Sequence, residues 1–220
     1  MTQKNLKKHT LLFFALLLTM TTGCFRTPDF LKSTGFFNEP AIIVSSNYYS
    51  AIKKLPQELQ QKLPTEVVFY TSQQATDASI SPQQFSNIAY NKLSLNFLWT
   101  GAQHDLSVVG TTYSNMPSAG QTATHNGTEL IITSEFSQEN LSLLAVLDWE
   151  ETGSTDWLVS YSYKSLVQEE TSSRLLLIRN VRPNAILTAT VLSASECYGN
   201  NCKDFTGSSL SEFLEYQPKY

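Results

Sequence analysis

The stretch "DWLVSYSYKSLVQEETSSRLLLIRNV", residues 156–181, sets the architecture of this chain. Its first part alternates apolar and polar residues with the period of two expected of a half-buried strand, and "EETSS" (169–173) supplies turn chemistry. The run "RLLLIRNV" that follows is a second, more deeply buried strand. The same rhythm extends outward in both directions. "ELIITSEF" (129–136) and "LSLLAVLDW" (141–149) precede it, and "AILTATVLSA" (185–194) and "SLSEFLEY" (209–216) follow. The punctuation is "EETGST" (150–155), "RPN" (182–184) and "CYGNN" (197–201). Short strands at this spacing predict an antiparallel β-sandwich over residues 129–220.

Upstream, residues 114–128, "SNMPSAGQTATHNGT", have the Gly, Ser, Thr, Asn and Pro content of a linker or long loop. Before it lies a mixed region, 39–113. "AIIV" (41–44) reads as a short buried strand, and Tyr49, Ile52, Leu55, Leu59 and Leu63 recur at helical steps across 46–63, with Pro56 dividing the run in two and Pro64 ending it. "EVVFYT" (66–71) is a further strand. Ser81, with Pro82 and Gln84 behind it, has capping-box spacing at the start of a helix whose apolar face is Phe85 and Ile88. The alternating "LSLNFLW" (93–99) predicts a strand, paired with "DLSVVGTTY" (105–113) through "TGAQH". The expected fold class is therefore α+β, a mixed strand and helix domain followed by a β-sandwich.

The first thirty residues concern address rather than fold. Lys4, Lys7 and Lys8 give a basic start, 11–20 is almost wholly apolar, and Thr21, Thr22 and Gly23 are small, which is the layout of a secretory signal peptide. The apolar run is about half the roughly 20 residues needed to span a bilayer. "TTGC" resembles the lipobox of bacterial lipoproteins, with Thr21 standing where that family has an aliphatic residue. The resemblance implies a signal peptide at 1–23, acyl chains on Cys24, a tether over 24–38, and a place in the cell envelope on the non-cytoplasmic side of a membrane. Phe25 after the cysteine implies sorting to the outer membrane. The competing reading is an ordinary cleaved signal with an unrelated cysteine. Two or three acyl chains hold a protein at a membrane essentially permanently, since each buried methylene contributes about 0.8 kcal/mol.

Cleavage before Cys24 removes three of the 15 basic residues and none of the 19 acidic ones, taking the formal charge from −4 to about −7. An acidic chain without basic clusters is a poor partner for phosphate backbones, so nucleic acid is not an expected partner. Cys197 and Cys202 flank "YGNN", whose turn residues allow the two thiols to meet, and a disulfide outside the reducing cytoplasm is the expectation. Two free thiols, or a metal or redox pair, are the alternatives.

Groups for catalysis are sparse. His104 adjoins Asp105, but neighbours on a strand point to opposite faces, and His125 lies in the loop-like 114–128 segment. The acid pairs Glu150–Glu151 and Glu169–Glu170 fall in turns, and nucleophile-elbow, P-loop and dinucleotide glycine patterns are absent from the sequence. Asn126 and Asn140 begin N-x-S/T sequons, which matter only in a eukaryotic secretory pathway. Core packing accounts for most aromatics, while Tyr48, Tyr49 and Trp157 are candidates for presenting aromatic surface to a partner. No catalytic residue, cofactor, metal or small-molecule substrate is expected.

Three further resemblances bear on the expectation. Trp149, Tyr161, Tyr163, and Val181 with Pro183 before a long alternating strand, resemble a fibronectin type III module over about 90 residues, with Leu187 where that family has its strand tyrosine. "AIIVSSNYYSAIKKLPQELQQKL" resembles the start of outer-membrane assembly lipoproteins, which implies a β-barrel partner. Composition and the relaxed lipobox resemble putative lipoproteins of chlamydial type. The sequence thus leads to a lipid-anchored envelope protein that acts as a structural or protein-binding module. Accessory work in outer-membrane assembly is the alternative, and an exported enzyme is the third reading.

Overall fold

A computed structural model describes residues 40–71, 80–98, 110–116 and 120–215. Among these residues nine strands form a single hydrogen-bonded sheet. Five of them, β5 (Ser137–Leu147), β6 (Asp156–Ser165), β7 (Glu170–Ile178), β8 (Ala189–Tyr198) and β9 (Asn201–Thr206), make a continuous antiparallel meander. The remaining strands are β1 (Ala41–Ile43), β2 (Val67–Phe69), β3 (Thr122–Asn126) and β4 (Glu129–Thr133). Strand β5 is where the sheet branches. Its first half pairs with β4, from Gln138 to Ser142, and its second half pairs with β1 at Ala145 and Val146. Strand β2 lies parallel to β1, and β3 closes a hairpin on β4.

The two stacked sheets expected of a sandwich are therefore replaced by one sheet. At eleven residues, β5 is long enough to carry two short partners end to end along one side. Helices, rather than a second sheet, cover the apolar surface on each face. On one face α1 (Tyr48–Ile52), α2 (Gln57–Gln60) and the bend between them place Tyr48 and Leu55 over Leu144, Leu158, Leu175 and Leu177. On the other, α3 (Phe85–Lys92), the 3-10 turn Leu95–Leu98 and α4 (Leu210–Glu215) cover Leu141, Trp157, Val159, Leu176 and Phe205. Burying each such side chain contributes roughly 1.5–3 kcal/mol.

Residues Asn38–Tyr220 form one compact unit. The segment read as a linker, 114–128, contains β3, and Phe85 and Leu93 share a core with residues of β5 to β9. Gly127 shows why that segment looked like a loop. It has a φ of 55° at the β3–β4 turn, in the left-handed region that favours glycine.

Local signals fared unevenly. Pro56 does divide the helical run, capping α2, and Ser81 with Gln84 forms a complete capping box around the 3-10 turn Pro82–Gln84. "LSLNFLW" is not a strand. Leu93, Leu95 and Phe97 are buried as the alternation demands, but Leu93 makes only an isolated bridge to Leu187, and the backbone beyond it coils into the Leu95–Leu98 turn. Its expected partner, 105–113, lies mostly outside the described residues, as does His104. Residues 209–215 of "SLSEFLEY" are likewise helical. Thr206 and Ser209 cap the turn ahead of α4, and Phe213 packs on Phe205 at 5.2 Å between ring centroids. Strand β9, to which the sequence assigns no element beyond the "CYGNN" turn, completes the meander. No helix among the described residues is long and apolar enough to cross a membrane.

Candidate functional site

Successive residues of a strand face opposite sides of a sheet, and in β5 to β8 this alternation divides one face in two. At one end it is apolar, under α1 and α2. At the other it carries Gln138 and Asn140 from β5, Ser162 and Lys164 from β6, and Thr171 and Ser173 from β7. The register sets Gln138 opposite Lys164, Asn140 opposite Ser162, and Ser173 opposite both Ser162 and Ser195. This polar floor lies in a concavity of about 430 Å³. It offers hydroxyl and amide hydrogen-bonding groups and one ammonium, from Lys164.

The expected disulfide is present at the rim of this floor. Cys197 and Cys202 are cross-strand partners in β8 and β9, bonded to each other, with Cα atoms 4.1 Å apart. Among the described residues no three His, Cys, Asp or Glu side chains gather as a metal site would require.

Beneath the opposite face lies a charged cluster that the sequence did not announce. Arg174 is 8% exposed, and its guanidinium donates to the Phe97 carbonyl at 2.7 Å and to Glu196 at 3.2 Å. It also lies over the rings of Tyr161 and Phe213, 5.5 and 5.2 Å from their centroids. Glu139 accepts hydrogen bonds from the hydroxyls of Tyr113 and Tyr161. Burial raises the pKa of Glu139, and the two tyrosine donors and Arg174 only partly offset it. Burial, then the neighbouring Glu139 charge, pushes both tyrosines well above their ordinary range. Glu196 is also raised by burial, against the opposing pull of Arg174. The cluster joins the Leu95–Leu98 turn and the segment carrying Tyr113 to four strands of the sheet, and closed packing makes it a tie between elements rather than an open site. Its signal in the sequence was an arginine at a position whose strand neighbours are core residues.

A second buried acid, Asp156, is fully enclosed at the start of β6. It accepts from the backbone N–H groups of Trp149 and Asn180, at 2.9 and 2.6 Å, and from the Ser154 hydroxyl at 2.9 Å. Three groups spread over residues 149–180 are thereby fixed to one carboxylate, so Asp156 orders the β5–β6 turn.

The other sequence candidates are scattered. Cys24, Phe25, His104 and Asp105 lie outside the described residues. His125 is exposed on β3, edge-on to Tyr90 at 5.1 Å. Glu150 pairs with Lys62 and Arg179 at the surface, which lowers its pKa, chiefly through the hydrogen bond from Lys62. Tyr48 and Trp157 present no surface to a partner, being 2% and 0% exposed, while Tyr49 is 42% exposed. Trp157 was misplaced because "TGST" suggested a turn where β6 already begins. No protein-family model, curated protein or solved structure matches the chain.

Proposed function

We propose that this chain is a bacterial envelope lipoprotein, held on the non-cytoplasmic side of a membrane by acyl chains on Cys24, and that it acts as a protein-binding module rather than as an enzyme. The observation that carries the reading is the position of Cys24, directly after the small residues Thr22 and Gly23 at the end of a short apolar run that follows three lysines. The Cys197–Cys202 disulfide supports it, because such bonds persist in oxidising compartments and are rare in the cytosol. An open floor of hydroxyl and amide groups suits contact with another protein better than it suits catalysis, which needs an acid or base poised near a nucleophile. By the same family resemblance, Phe25 directs the protein to the outer membrane.

Metabolic labelling with a fatty-acid analogue tests the reading. The wild-type chain should take up label and Cys24→Ala should not. Equal labelling of the two, or none in the wild type, would overturn it.

A further inference from the structure

At the open end of the sheet the neighbouring β4–β5 and β6–β7 turns hold three large apolar side chains out into solvent. Phe136 is 61% exposed, Leu166 50% and Val167 64%. Such residues are ordinarily drawn into a core or a contact, and a cluster of them marks an interaction site more often than a scatter does.

These turns are fixed. The Ser134 hydroxyl accepts the N–H groups of Phe136 and Ser137, at 3.2 and 3.0 Å. That of Ser165 accepts those of Val167 and Gln168, at 3.3 and 3.0 Å. Backbone bonds then join one turn to the next, from Leu166 N–H to the Phe136 carbonyl at 2.8 Å and from Gly199 N–H to the Glu169 carbonyl at 2.7 Å. A platform ordered in advance loses little conformational entropy on binding.

The charge around the platform selects among occupants. Among the described residues of these two turns and the strand ends that flank them, Glu135 and Glu169 are exposed and Glu170 is half-buried, against the single cation Lys164. A second copy would bring the same acidic rim, and like charges facing each other across an interface are unfavourable. An anionic bilayer meets the same objection. A protein segment with apolar residues flanked by lysine or arginine satisfies both features.

We infer that the Phe136–Leu166–Val167 platform is the docking surface for an apolar, basic-flanked protein segment. This rests on the reading of the chain as a protein-binding module and names the part that binds.

The test is to pan the purified full chain, carrying Cys24→Ser, against a random dodecapeptide display library. Enriched peptides are expected to combine aliphatic or aromatic residues with flanking Lys or Arg. Their affinity should fall at least about tenfold for Phe136→Ser combined with Val167→Ser, and should weaken for Glu135→Lys combined with Glu169→Lys. Far-UV circular dichroism on each variant establishes that the fold is retained. No enrichment, peptides without basic flanks, or peptides that bind the variants equally would overturn the inference. So would self-association or binding to phosphatidylglycerol vesicles that the Phe136 and Val167 substitutions abolish. Because the fatty-acid labelling of Cys24 is a separate readout, failure of the docking claim and failure of the anchoring claim are distinguishable.

Discussion

Phe85 stands edge-on against Trp157, with ring centroids 5.2 Å apart and ring planes at 68°. Both side chains are wholly buried, and the pair joins α3 to a central strand of the sheet. Described residues between 40 and 113 thus contribute to the same core as the meander. Phe85→Ala should cost about 3–5 kcal/mol, the usual range for emptying an aromatic site in a core. Urea denaturation followed by tryptophan fluorescence and by far-UV circular dichroism should give one coincident transition in the wild type. Two separated transitions would show that the chain folds as two domains.

Removing Arg174 should be comparably damaging. Arg174→Ala leaves the Phe97 carbonyl without its donor and Glu139 and Glu196 without their cation. Breaking a buried pair in this way typically costs about 3–5 kcal/mol. Thermal unfolding of Arg174→Ala beside Glu212→Ala separates this cluster from a surface pair, because the Lys203–Glu212 contact is exposed and should be nearly neutral.

Glu139 gives the cluster a pH dependence whose sign follows from its raised pKa. Between an ordinary glutamate pKa of about 4.3 and the higher folded value, the folded chain holds a proton that the unfolded chain has released. Stability carried by this group therefore falls as pH rises through that window and returns as pH falls. Glu139→Gln should lose this component. Melting temperatures measured from neutral to mildly acidic pH should show the wild type gaining on Glu139→Gln as the pH drops. A gap that stays constant, or that narrows, would rule out the raised pKa.

The disulfide closes a loop with a sequence separation of only five. Loop-closure entropy for so short a span amounts to about 2 kcal/mol. The double variant Cys197→Ser, Cys202→Ser should therefore fold, with stability lowered by no more than roughly that amount and hydrogen exchange faster mainly at the β8–β9 turn. Thiol titration of the native wild type should find neither cysteine reactive. Global unfolding of the double variant would show that the bond holds up more than a hairpin end.

Much of the meander was legible because its strands carry their own alternation and turn residues, as in "SYSYK" and "RLLLI". The way the sheet closes was not. The pairing of Ile42 with Val146 joins residues more than a hundred positions apart, and no local pattern encodes which edge a three-residue strand will choose. "LSLNFLW" misled for a related reason. Burial of Leu93, Leu95 and Phe97 requires only that alternate side chains reach the core, and a 3-10 turn next to a single bridge achieves that without a ladder. At 114–128, loop-like composition concealed a strand because β3 is mostly exposed and needs few apolar residues. The disulfide was readable from the turn between its cysteines. The Glu139–Arg174 cluster was not, since its members come from four strands and a loop and meet only in the folded chain. The polar floor was present in the sequence as the serines, threonines and amides of the strands, but its openness depends on α1 and α2 covering only one end of that face.

The anchoring claim is tested most directly by mass spectrometry of the mature N-terminus. Trypsin should release Cys24 with Phe25 and Arg26 as a short peptide carrying the mass of a diacylglyceryl group, with or without a third acyl chain, and no peptide from residues 1–23 should remain attached. An unmodified Cys24, or a mature chain that begins elsewhere, would contradict the account.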